Sequence, residues 1–378
     1  MALQGSGEIS FGEIRAEFGN GNNRLGQYRR DDSSFDNDNN GSLTNMPLDD
    51  GVPTSGEIRF GSFYNKQLNV VVNCHTGGTE YRVNARSKYN SGATSTGNST
   101  GNWNVVGGYK DRPTNSSGTR VFINVNKSIG SAVNTNENYC ALRTGSWDGT
   151  TDLSVDIGGS GKIIGAGGNG GDGKSKDHGG SEIHGGDGNS GLGVEYNGTT
   201  VNIANGGFIS CGYGGGGGGG TGYNKDRGHP HRHGSGSGGG GGAGLPAGGG
   251  GEKTGTDGTG ETGTDGTAGS LPVIGDNETG GRSGGVCYND HWWEARGGLG
   301  GVGGPGSRQI YESGNPTTID NPGVYASGPE AGNAGTQNGT AGGNGGNNGA
   351  AIRRTSGISV TIENNGHIDG DTGDTGVA

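Results

Sequence analysis

Two segments hold the side chains best suited to chemistry. In "YNKDRGHPHRH" Tyr223 precedes His229, His231 and His233, three imidazoles at alternate positions that an extended chain turns to one side. Around a trimer axis, His-x-His pairs of this kind could coordinate iron or zinc. Without such an axis they form an exposed loop rich in Arg and His, and the loop is the reading the sequence favours, so no metal is expected. In "CYNDHWWEARGG" Tyr288, His291, Trp292 and Trp293 lie between glycine-rich segments, where no conventional core can absorb two indoles. They either cap the ends of neighbouring elements or contact a receptor, and polar flanks favour contact.

Catalytic constellations are not evident. Asp276, Glu278, Asp290 and Glu294 supply carboxylates, but at unknown separation they do not make the two-carboxylate geometry of glycan cleavage. No HExxH sequence occurs. Cys74, Cys140, Cys211 and Cys287 form no CxxC pair and no dense pattern, which argues against a zinc module and a disulfide scaffold. The chain is expected to be neither an enzyme nor cofactor-dependent. Lys and Arg number 26 against 37 Asp and Glu, a net charge of -11 that disfavours a phosphate-binding surface and hence nucleic acid. The first residues lack a basic, apolar leader, and no apolar run approaches the length of a membrane span, so a soluble chain without export signal or membrane insertion is expected.

The elements that must position these segments are unusual. Of 378 residues 96 are glycine and 25% are hydrophobic, too few apolar side chains to fill an ordinary core. Backbone hydrogen bonding or subunit packing is expected to replace side-chain burial. The glycine has a period of three, as in "GAGGNGGDG" (165–173), "GGLGGVGGPG" (297–306) and "GGNGGNNG" (342–349), and as G-x-x over 255–269. A left-handed polyproline-II-like helix has three residues per turn and no internal hydrogen bonds. Packed side by side, such helices bond to one another if the inward positions carry no Cβ. Collagen shares the period but needs unbroken G-X-Y rich in proline, and only 10 prolines are present.

Three regions follow. Residues 1–66 carry the phrase "SGEISFGEI" and its near copy "SGEIRFGSF", each suited to a short extended or edge element of an attachment module. Residues 67–157 show short β-like runs ("QLNVVVNC", "TEYRVNA", "WNVVGGY", "RVFINVN", "DLSVDI") typical of an all-β sandwich or barrel. Residues 158–378 hold most of the glycine. A repeat V-x-I-x-x-x-G-x-I begins at Val155, Val201 and Val360 and predicts short β-hairpins from which glycine runs leave and to which they return.

From about Arg120 onward, the sequence beginning "VFINVNKSIGSAVNTNENYCALRTGSWDGTTDLSVDIGGSGKIIGAGGNGGDG" resembles the glycine-rich adhesins of bacteriophage tail fibres, of the T-even-like kind. "SGEIRFGSFYN" is similar to phrases in other phage virion proteins. The resemblance implies a mainly β and irregular fold: an attachment module, a β domain and a sandwich of polyglycine-II helices with distal loops that recognise a host surface receptor. The implied tip loops are 174–183, with Lys174 and His178; 223–233, with Tyr223 and the three histidines; 276–295, with Tyr288, His291, Trp292 and Trp293; and 307–325, with Tyr311 and Tyr325. The implied role is reversible adhesion at a tail or fibre tip, with an outer-membrane protein or glycan as receptor, tail proteins bound through the N-terminal module, and a possible homotrimer. A structural fibre, neck or baseplate component is the alternative, and a glycan depolymerase a third reading.

Overall fold

The runs expected to form strands do so, and nearly all pair in parallel. The computed structural model describes residues 3–18, 24–28, 52–53, 55–74, 79–91, 98–100, 103–106, 114–132, 136–173, 184–219, 222–224, 232–234, 238–252, 268, 270–271 and 342–377. Among these the chain is mainly β, arranged as successive coils of one three-faced solenoid. The first coil contributes β1 (Asn69–Cys74), β2 (Glu80–Tyr81) and β3 (Val83–Asn84), followed by helix α2 (Ala85–Ser91) and strands β4 (Asn98–Thr100) and β5 (Trp103–Val106). The second contributes β6 (Arg120–Val125), β7 (Ser128–Gly130) and β8 (Cys140–Arg143). The third has β9 (Asp152–Ile157), β10 (Lys162–Ile164) and β11 (Ser190–Val194). The fourth has β12 (Thr199–Ile203), β13 (Phe208–Ser210) and, beyond a small hairpin of β14 (Gly222–Asn224) with β15 (Arg232–Gly234), β16 (Ile352–Arg354). Finally β17 (Val360–Asn364) and β18 (His367–Asp369) begin a fifth.

Each face of the solenoid is a sheet taking one strand per coil: β17-β12-β9-β6-β1 extended by antiparallel β5 and β4, then β18-β13-β10-β7-β2, then β16-β11-β8-β3. The expected hairpins at the V-x-I repeats are therefore corrected. β9 does not pair with β10 but with β6 and β12, and the glycine turn between them is a corner from one sheet to the next. The physical reason is that both flanks send their alternate apolar residues into one interior. Val155, Ile157 and Ile163 all lie in the same core. At that corner a Cβ on Gly161 would stand 2.0 Å from the Val125 carbonyl oxygen, so only glycine lets successive coils stack. The first two repeat copies align residue for residue, Val155 beside Val201 and Ile157 beside Ile203. In the third copy the strand slides by two, putting Ile362 rather than Val360 beside Val201. A shift of two keeps the same face inward.

The interior is a conventional apolar core, contrary to the expectation from composition. Val70, Val121, Val155 and Val201 with Ile123, Ile129, Leu142, Leu153 and Ile163 are buried in one cluster. That cluster continues across residues 157 and 158, where a domain boundary was expected. It also takes in Ile14, Phe18, Tyr28 and Phe63 of the N-terminal region.

That region caps the first coil, and its two "SGEI" phrases lead into helical turns rather than extended elements. Helix α1 (Phe11–Phe18) starts at a capping box. The Glu13 N–H donates to Ser10 Oγ (3.2 Å), and Glu13 Oε2 accepts from the Ser10 N–H (2.6 Å). The second copy forms a single 3-10 turn (Phe60–Phe63), in which Ser62 stands where Glu13 stood and accepts from the Arg59 N–H at 3.2 Å. Glu17 Oε1 accepts from the Leu68 N–H (2.8 Å), tying the cap to the start of β1. Polar braces join coils elsewhere. Arg143 forks onto Glu195, whose Oε2 also accepts from the Gly145 N–H (2.9 Å). Arg353, 3% exposed, donates to Ser190, Asn138 and the Thr375 carbonyl.

Candidate functional site

Two insertions leave the solenoid between its second and third faces. One, in the third coil, runs out along 165–173 and returns along 184–189; the other, in the fourth, runs out along 211–219, back along 238–244, out along 246–252 and back along 342–350. These six glycine-rich runs bond to one another through their backbones, and their partners change with a period of three. From 165–173, the N–H groups of Gly168 and Gly171 reach the carbonyls of Tyr213 and Gly216, while those of Gly167, Gly170 and Gly173 reach Pro246, Gly249 and Glu252. The carbonyls of Ala166 and Asn169 accept from Asn189 and Gly186, and those of Gly168 and Gly171 from Gly242 and Gly239. One run thus meets four neighbours, as does 211–219, which bonds to 165–173, 184–189, 238–244 and 342–350. The whole set of bonds corresponds to two rows of three: 246–252, 165–173 and 184–189 over 238–244, 211–219 and 342–350.

Glycine is required here by close approach. A Cβ on Gly212 would sit 1.8 Å from the Ala166 oxygen, on Gly168 1.9 Å from the Gly186 oxygen, and on Gly242 1.9 Å from the Tyr213 oxygen. At Gly249, on an outer run, the nearest atom would be 3.6 Å away. No described glycine in these runs has a positive φ.

The residues that break the glycine pattern have a task that sequence reading missed. At every third position their side chains accept outward N–H groups of an edge run, which would otherwise be left to water. Asn169 Oδ1 accepts from Gly249 and Asp172 Oδ1 from Glu252, both at 2.8 Å. His184 Nδ1, Asp187 Oδ1 and Ser190 Oγ accept from Asn344, Asn347 and Ala350 at 2.9, 2.7 and 3.0 Å. The i, i+3 spacing of short acceptors in "NGGD" and "HGGDGNS" is the signal that could have revealed it.

At the proximal end the layer is seated on the solenoid. The Ser131 N–H donates to the Leu245 carbonyl (2.9 Å), and Tyr213, its hydroxyl on Asp369 Oδ1 (2.7 Å), spans from the second run pair to β18. Burial, more than the neighbouring negative groups, raises the Tyr213 pKa and keeps it a donor. Cys74 and Cys140 are pushed up to about 12 by burial, and Cys211 is raised for the same reason, so these thiols are unreactive packing groups.

At the distal end the runs stop together. Gly173 bonds to Glu252, Gly343 to Gly218, Gly185 to Asn344, and Gly239 to Gly171. Segments 174–183, 220–237 and 253–341 therefore begin and end at one end of the layer, and they contain all four expected tip loops. Of the individual residues expected there, Tyr223 and His233 lie in described strands, opposite one another in the β14–β15 hairpin. Lys174, His178, His229, His231, Tyr288, His291, Trp292, Trp293, Tyr311 and Tyr325 lie outside the described residues, as does the run 297–306. Among the described residues no group of three or more His, Cys, Asp or Glu side chains is placed to hold a metal ion, and no helix is long and apolar enough to cross a membrane.

No protein-family model matches this sequence, and no curated protein matches it. Among solved structures, the gp37-gp38 adhesin tip complex of the bacteriophage S16 long tail fiber is similar over 84% of this chain and 88% of that one, with 16% identity and a TM-score of 0.35.

Proposed function

We propose that the chain is a receptor-binding protein of a phage virion, a tail or tail-fibre tip adhesin, and that the six glycine runs among the described residues are polyglycine-II helices packed as a sandwich. The observation that carries this reading is that three polar segments, two of them bearing Tyr or Trp, begin and end at one end of a layer that has almost no side chains of its own. Such a layer is rigid through backbone bonding and invariant in width, so its tip segments can vary without disturbing it. A loop-borne site on a stiff scaffold is the common arrangement for recognition. The chain binds without a catalytic step or cofactor, using Trp292 and Trp293 as anchors, and the N-terminal cap faces other tail proteins. Host surface protein or glycan is the receptor class, and nucleic acid is not a partner.

The test uses purified chain labelled with a fluorophore and a panel of Gram-negative strains. Binding to at least one strain is expected, with loss of about tenfold or more when Trp292 and Trp293 are both replaced by alanine, since aromatic anchors contribute about 2 kcal/mol or more each. A variant in which 174–183, 220–237 and 253–341 are all exchanged for short Gly-Ser links should not bind at all. Undiminished binding by that folded variant, or no binding by the parent to any strain, contradicts the proposal.

A further inference from the structure

The outer face of the largest sheet carries a ladder of amides and carboxylates. Asn73, Asn124, Asp156, Asn202 and Glu363 occupy one row on consecutive parallel strands. Its inner end is closed, because Asn124 Nδ2 donates to Asn73 Oδ1 (2.8 Å) and both residues are buried. Its outer end opens into a cavity of about 410 Å³ lined by Asn126, Asp156, Asn202 and Glu363 with the Gly158–Gly159 corner. That volume is in the range of small-molecule sites.

Polar capacity in the cavity is only half used. Asp156 Oδ1 accepts from Asn202 Nδ2 (2.6 Å) and Ser154 Oγ (2.7 Å), which fixes the Asn202 amide with its oxygen turned away from Asp156. Asn202 Oδ1 and Asn126 Nδ2 are then buried atoms without hydrogen-bond partners among the described residues. Each is costly to leave so. Burial also holds the Asp156 carboxyl above the ordinary carboxylate range, with Glu363 adding to the effect and the Asn202 and Ser154 donors opposing it. Asp156 and Glu363 flank Asn202 on the strands to either side of it.

The chemistry that satisfies this set must both donate and accept. A metal cation would meet the oxygens and leave the Asn126 donor orphaned; an anion would meet two carboxylates. A hydroxyl does both. We propose that the cavity is a binding subsite for a neutral saccharide, whose adjacent hydroxyls accept from Asn126 Nδ2 and donate to Asn202 Oδ1 and the free oxygen of Asp156. The site lies on the solenoid, apart from the tip segments, and does not depend on the adhesin reading.

The experiment follows the side-chain amide NMR signals of Asn126 and Asn202 in the full chain during titration with the methyl glycosides of glucose, galactose and mannose, and separately with calcium chloride alone. At least one glycoside should shift both signals saturably. Asn202→Ala should weaken that binding about tenfold, the loss of one well-made hydrogen bond. Asp156→Asn, which preserves shape and folding, should also weaken it. The proposal is overturned if no glycoside shifts the signals, if calcium alone shifts them while the sugars do not, or if sugar binding is unchanged in both variants.

Discussion

The solenoid and the glycine layer solve the same problem by opposite means. In the solenoid, branched side chains such as Val155, Val201 and Ile123 fill an interior, and the backbone bonds of each strand go to the coils on either side. In the layer the interior is backbone itself, with Ala166, Ala243 and Tyr213 among the few buried side chains. Stability in the first comes from volume enclosed, and in the second from closeness of approach. The solenoid should therefore be sensitive to atoms removed and the layer to atoms added.

Gly212→Val should have the largest effect. Its Cβ has nowhere to go at 1.8 Å from the Ala166 oxygen, and the runs on both sides must part. We expect a loss above about 4 kcal/mol and melting of the layer while the solenoid stays folded, read as a separate early transition in calorimetry. Leu142→Ala, fully buried in the solenoid core, should cost about 2–5 kcal/mol and lower the main transition instead. If Gly212→Val and Leu142→Ala shift the same single transition, the two regions are one cooperative unit and the comparison is too sharply drawn.

Asp156→Asn should act in the other direction. Because burial raises the Asp156 pKa in the folded chain, its contribution is favourable in acid and is lost as pH rises through that raised value. The variant should therefore be more stable than the parent at neutral pH, and the gap should close in acid, as followed by denaturant midpoints. Gly249→Ala should matter least, within about 0.5 kcal/mol, because a Cβ there meets nothing nearer than 3.6 Å. A large loss at Gly249 would mean that glycine is needed in these runs for conformation and not for approach.

Much of this was legible, for uneven reasons. The strands of 67–157 announced themselves by alternation, and the period-three glycine marked where backbones would meet. The parallel pairing was not legible, since "VDIGGSGKI" reads equally as a hairpin or a corner until its partners are known. One signal was present and unread: the residue between the two branched positions is Asn124, Asp156 or Asn202 in successive coils, a polar column that only in-register stacking explains. The helix α1 was hidden by glycine and β-branched neighbours, although "SFGE" is a capping box in plain sequence. The acceptor role of Asn169, Asp172 and Asp187 could not be read without knowing which run lies alongside. The tip residues of the expected receptor site, apart from Tyr223 and His233, fall outside the described residues.

The central proposal is that the layer consists of three-residue-per-turn glycine helices that bond mainly to one another. A crystal structure that resolves 165–173 and 211–219 tests it most directly. The account predicts φ near −75° and ψ near +145° along both runs, with the N–H of Gly168 on Tyr213 and that of Gly215 on Gly186. Extended dihedrals near −120° and +115° with an ordinary two-residue ladder, or runs that do not touch, would contradict it.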